Sequence, residues 1–166
     1  MKVKLFDFED ETDLENKEEY HFIWAGKILD HNVENWFDCQ LERDNIQNRF
    51  HNIDFITDKK EYQNLISCSD AFWLTSREDP YPSVMIESLE YGTPVFAFEN
   101  CGGANTLLAN DRGNLISNFD TKKMAEETHK LLQDSKKIEN QINNAQKYIK
   151  QHLNFDKYID NLESLF

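Results

Sequence analysis

Between residues 21 and 117, short apolar runs alternate with amphipathic stretches of helical period, and that alternation leaves few folds open to the chain. HFIWAG (21–26), NIDFIT (52–57), DAFWLTS (70–76), TPVFAFEN (93–100) and GNLIS (113–117) read as strands: each is short, rich in β-branched or aromatic residues and bounded by turn formers. Between them, NVENWFDCQLERDNI places Val33, Trp36, Phe37 and Leu41 on one helical face. KKEYQNLISCS does the same with Tyr62, Leu65 and Ile66, SVMIESLEY is a third helix, and a short one follows Gly103. After residue 120 only the helical period remains. Met124, Ala125, Thr128, Leu131 and Leu132 form one face, and Ile138, Ile142, Ala145 and Ile149 the next. Phe155, Tyr158, Ile159, Leu162 and Leu165 form the last. Strand–helix alternation requires crossover connections, hence a parallel sheet with helices on both faces. The expectation is an α/β, Rossmann-like domain with a helical C-terminal tail. With no internal repeat and no Pro/Gly-rich linker, residues 1–166 are expected to form a single domain.

Charge narrows the partners. Eighteen Lys and Arg against 31 Asp and Glu give 18 − 31 = −13, the wrong balance for nucleic acid or for an anionic membrane surface. No apolar run is long enough for membrane insertion, so a cytoplasmic chain is expected. Cys39, Cys68 and Cys101 are odd in number and lack metal-ligand spacing, and are expected as reduced, mostly buried residues. Trp24, Trp36 and Trp73 fall within strand or helix patterns and are expected in the core. The five histidines show no triad or metal spacing. The acids Asp7, Glu9, Asp10, Glu11 and Asp13 lack the glycine and the spacing of a calcium loop, and no metal is expected.

Residues 76–103, SREDPYPSVMIESLEYGTPVFAFENCGG, concentrate the chemistry. In an open parallel sheet, ligands bind beyond the carboxyl ends of the strands, and this segment leaves one strand there and returns by another. Pro80 and Pro82 hold the chain extended before the helix. Ser83 is expected to cap it, and the amides of Ser83 and Val84 would form an anion site at its positive end. Glu87 lies one turn further on the same face. Gly92 is a left-handed stop, Pro94 opens the next strand, and Gly102 and Gly103 would let backbone approach a ligand closely. Arg77 is placed either to meet a phosphate or to pair with Glu78. Amides suit phosphate, and carboxylates suit vicinal sugar hydroxyls. A nucleotide-sugar offers both.

Asp79, seven residues, Glu87, then YGTPVFAF and GG resembles the signature of retaining GT-B glycosyltransferases of family 4. The SRED-P-aromatic-P pattern is similar to the bacterial capsule and lipopolysaccharide branch, and the likeness is good from about residue 19 to 117. The resemblance implies the C-terminal, donor-binding half of a two-domain enzyme whose N-terminal acceptor-binding domain is absent from this chain, leaving the isolated chain inactive. The whole enzyme would associate with a membrane only through that missing half. Asp79 and Glu87 are then the candidate catalytic acids, Asp79 contacting the donor sugar and Glu87 the ribose hydroxyls. Ser83, Val84, Arg77, Gly102 and Gly103 would hold the diphosphate and sugar. Thr57 stands in the loop that reads the base, where family members usually carry glycine. The donor implied is a UDP-, GDP- or similar nucleotide-sugar, used without a metal or other cofactor. The family's Arg and Lys near the start of this domain find no match, Lys2 and Lys4 being poor candidates. A nucleotide-sugar-binding or regulatory module without turnover is the alternative. A receiver-like signalling domain is disfavoured, because the acids precede the first strand and no lysine follows the fifth.

Overall fold

The computed structural model describes residues 20–28, 30–153 and 159. The acid cluster at residues 7–13, Lys2, Lys4 and, Ile159 apart, the last expected helical face lie outside them. Five strands are present among the described residues: β1 (Phe22–Ala25), β2 (Phe50–Ile53), β3 (Phe72–Leu74), β4 (Val95–Phe98) and β5 (Asn114–Ile116). They alternate with α1 (His31–Arg43), α2 (Lys59–Ser67), α3 (Ser83–Glu90) and α4 (Ala104–Leu108), and α5 (Thr121–Leu132) and α6 (Ser135–His152) close the described chain. Every ladder is parallel, β1 with β2 and β3–β4–β5 in sequence order. β1 and β3 do not hydrogen-bond to each other; their residues line a largely apolar cavity of about 420 Å³. No described helix is long and apolar enough to cross a membrane.

The pleat of the central strand explains the two-faced core. Val95 and Ala97 point to one side of β4, and Phe96 and Phe98 to the other. The first side packs with Leu74 against Met85 and Leu89 of α3, Leu107 and Leu108 of α4, and Ala145 and Ile149 of α6. The second packs with Trp73 and Ile116 against Met124, Ala125 and Leu131 of α5. A strand buried on both faces reads as a continuous apolar run, which is what VFAF is.

Several expectations shift. β2 begins two residues earlier than NIDFIT and ends at Ile53, because β1 is four residues long and pairs Phe22 with Phe50 and Ala25 with Ile53. Phe55, expected inside that strand, is 74% exposed in the following loop. α1 has Leu41 buried with Phe37 half-buried, but Val33 and Trp36 face solvent, since this helix shares only a small cluster with Ile46 and Phe50. Of the three tryptophans only Trp73 is core; Trp24 and Trp36 are exposed. Cys39 and Cys68 are exposed too, and only Cys101 is buried.

Candidate functional site

β3 and β4 are hydrogen-bonded neighbours, so the loops that leave Leu74 and Phe98 emerge together at the carboxyl edge. They touch. Asp79 and Gly102 form a parallel bridge. Gly102 has φ +91°, and a Cβ on it would lie 1.8 Å from the Asp79 carbonyl oxygen. A Cβ on Gly103 would lie 2.2 Å from Cδ2 of Tyr81 and 2.8 Å from the Pro80 carbonyl oxygen. The glycine pair is therefore required by one loop packing on the other, a demand the sequence reading had assigned to ligand approach.

Helix α3 starts from these loops. Pro82, φ −68° and ψ 119°, occupies the N-cap position and supplies no side-chain cap. Ser83 is instead the first helical residue, and its expected capping bond is not made. The Met85 amide reaches the Pro82 carbonyl at 3.2 Å, while the first-turn amides of Ser83 and Val84 have no intrahelical acceptor to find. Proline before the helix is the cause: it fixes an extended entry and brings no hydroxyl or carboxylate to cap with. Gly92, φ +85°, follows the helix as a left-handed stop.

Glu87 is half-buried one turn past Ser83. Its Oε2 accepts a 2.5 Å hydrogen bond from the hydroxyl of Tyr62 on α2. Burial, then the bond to Glu87 and its charge, push the Tyr62 phenol far above its ordinary range, so it stays a neutral donor. α2 is capped by Asp58, whose side chain accepts from the Glu61 amide at 2.7 Å. Exposed Thr57 immediately precedes that cap, beside a cavity of about 280 Å³ that Phe55 and Tyr62 also line. Arg77 makes no ion pair with Glu78 among the described residues; its guanidinium lies 5.5 Å from the ring centre of Phe119.

The structure thus brings Asp79, Gly102 and Gly103 together at one edge, with Ser83, Val84 and Glu87 on the helix that follows. Sequence reasoning missed Tyr62, taken as a core residue. The available signal was its polar tip, since a buried tyrosine hydroxyl needs a partner. Among the described residues no group of three or more His, Cys, Asp or Glu side chains could hold a metal ion. Chemically, the edge offers unpaired amides to an anion and a fixed carboxylate to hydroxyl donors.

Known proteins share this architecture. The chain superposes on HepE of Anabaena, solved in complex with UDP, with a TM-score of 0.78 at 20% identity over 98% of this chain and 48% of that one. TarM of S. aureus gives 0.74 at 18% identity, covering 90% of this chain and 29% of that one. The C-terminal domain of LpcC, a group 1 family glycosyl transferase from Francisella tularensis, gives 0.71 at 16% identity, covering 82% and 71%. The chain thus spans about half the length of HepE and less of TarM. No curated protein matches it. At these identities the superpositions establish the fold of one GT-B domain, and the family is established by sequence: the model of glycosyl transferases group 1 matches residues 11–148. That match covers most of the chain, which therefore belongs to the group 1 glycosyltransferases.

Proposed function

We propose that this domain binds the nucleoside-diphosphate-sugar donor of a retaining glycosyltransferase that builds bacterial surface polysaccharide. The observation that carries the reading is the convergence at one sheet edge of the Asp79–Gly102 bridge, the open amides of Ser83 and Val84, and the half-buried carboxylate of Glu87. In this reading Glu87 accepts from the ribose hydroxyls, the α3 amides and Arg77 meet the diphosphate, and Asp79 faces the sugar. Stabilising the departing diphosphate electrostatically supplies most of the catalysis. The base sits beside Thr57 in the smaller cavity, and no metal takes part. HepE was solved with UDP, with UDP-glucose, and with UDP and glucose, and WaaG acts in lipopolysaccharide biosynthesis; both share this fold. An N-terminal acceptor-binding domain completes the transferring enzyme.

Titration calorimetry of the chain with UDP, GDP and ADP tests the reading, with circular dichroism as the fold control. Glu87→Ala is expected to lower the affinity for the preferred diphosphate by about 1–3 kcal/mol, as for a lost charge-assisted hydrogen bond. Unchanged affinity would retire the ribose role.

A further inference from the structure

Tyr62 belongs to two places at once. Its ring lines both the 420 Å³ cavity between β1 and β3 and the 280 Å³ cavity beside the loop before α2. Its amide donates to the Asp58 carbonyl at 3.0 Å, within the first turn of α2, directly after that loop. Its hydroxyl crosses to α3 and holds Glu87 Oε2 at 2.5 Å. Among the described residues no cation contributes to the pair: the charged or titratable neighbours of the phenol are Glu87 and Tyr91, and both favour its neutral form.

We infer that Tyr62 is a positioning residue for nucleotide binding: it locks the Glu87 carboxylate in one orientation and fixes the distance from that carboxylate to the base loop. This rests on the reading of Glu87 as the acceptor of ribose hydroxyls. A glutamate side chain is long, and its terminal torsion is broad and roughly two-fold. A free Glu87 would sample many orientations and lose them on binding. One bond from Tyr62 removes that freedom beforehand. It also leaves capacity for the ligand, because an ionised carboxylate has about four acceptor sites and the phenol takes one. Oε1 and the second lone pair of Oε2 remain for two adjacent hydroxyls. The strut ties α2, which begins at the base loop, to α3, which carries the acid, so base and ribose contacts are set as a unit.

The experiment is calorimetry on wild type, Tyr62→Phe, Glu87→Ala and the double variant. Each is titrated with whichever of UDP and GDP the wild type binds more tightly, and with the 2′,3′-dideoxy form of that diphosphate. Tyr62→Phe keeps the ring and removes only the hydroxyl. It is expected to weaken binding of the ribonucleotide about three- to tenfold, the scale of one immobilised side chain. It should weaken the dideoxy form less than twofold, and add nothing in the Glu87→Ala background. Equal weakening of both nucleotides would mean a general packing role and overturn the inference. So would unchanged or tighter ribonucleotide binding, or losses that add in the double variant. A wild type that binds neither diphosphate, or a Glu87→Ala form that binds as well as wild type, overturns the donor-site reading itself and this inference with it.

Discussion

Gly92 and Gly102 both sit at positive φ, +85° and +91°, yet their surroundings differ. Nothing lies within 4 Å of a Cβ built on Gly92, whereas one built on Gly102 meets the Asp79 carbonyl oxygen at 1.8 Å and its carbon at 2.6 Å. Alanine at 92 therefore incurs only the left-handed backbone cost, about 1–2 kcal/mol. At 102 it must also push one loop off the other, and about 2–4 kcal/mol is expected. Urea unfolding of the two variants separates these costs. Gly102→Ala alone should also weaken diphosphate binding, because the loop displaced with the bridge carries Arg77 and leads into the first turn of α3; equal stability losses would contradict the loop-on-loop account. The place of Glu87 was legible in the sequence, since Pro82 and Gly92 bracket α3 and put the acid one turn past Ser83. The true constraint on Gly102 was not, because it arises from backbone 23 residues away. Tyr62 was hidden for a related reason: a helical period reports which face is inward, not whether a strand, a cavity or a carboxylate waits there.

Where punctuation was strong, elements fell where the sequence put them. α3 runs between Pro82 and Gly92, and β4 follows Pro94. Where boundaries depend on a neighbour, they moved: β2 stops at Ile53 because β1 does. Polar ties between elements were not legible at all. Trp73 Nε1 donates to Thr128 Oγ1 at 2.9 Å, joining β3 to α5, and Asn114 and Gln141 exchange amide bonds between β5 and α6. Arg112, in the turn between α4 and β5, is buried. Its Nε donates to the Leu107 carbonyl at 2.8 Å, a terminal nitrogen to that of Thr106 at 2.5 Å, and its guanidinium stacks 3.9 Å from the Tyr148 ring centre. It closes the C-terminal end of α4, a five-residue helix that cannot satisfy its own last carbonyls. Arg112→Met keeps the apolar stem and removes both bonds. The loss expected is about 2–3 kcal/mol, read from the urea midpoint, partly offset because a buried cation no longer needs desolvation. Arg112→Lys should recover only part, since an ammonium cannot reproduce the planar fork. Full recovery by lysine would show that charge alone closes the helix.

At the scale of the whole molecule, the chain has a thick half and a thin half. β3–β4–β5 are sandwiched between two apolar clusters, while β1–β2 carries α1 over a small one, with Trp36 and Val33 facing solvent. The candidate diphosphate and sugar contacts lie on the thick half and the base loop on the thin one, which fits a rigid platform for the reacting end of a donor. In the proposed reading that platform serves binding, not transfer. Transfer also needs an acceptor oxygen held against the anomeric carbon, and positioning of this kind can supply about 7–11 kcal/mol of the barrier. The chain matches about half of the length of HepE, and its own edge is acidic, with Glu78, Asp79 and Glu87 against Arg77 in a chain of net charge −13. These residues support weak donor binding, with Kd in the millimolar range or about −4 kcal/mol. They give the departing diphosphate little positive charge beyond one guanidinium and the α3 amides. The 166-residue chain on its own is therefore expected to bind nucleotide-sugars without transferring sugar. Incubating it with UDP- and GDP-sugars and a panel of acceptors, and following nucleotide release, is the check. Release at the uncatalysed rate, alongside calorimetric binding, is the expected result. Release well above that rate and abolished by Glu87→Ala would mean that the domain turns over its donor unaided, and that an acceptor-binding partner is not needed for the chemistry.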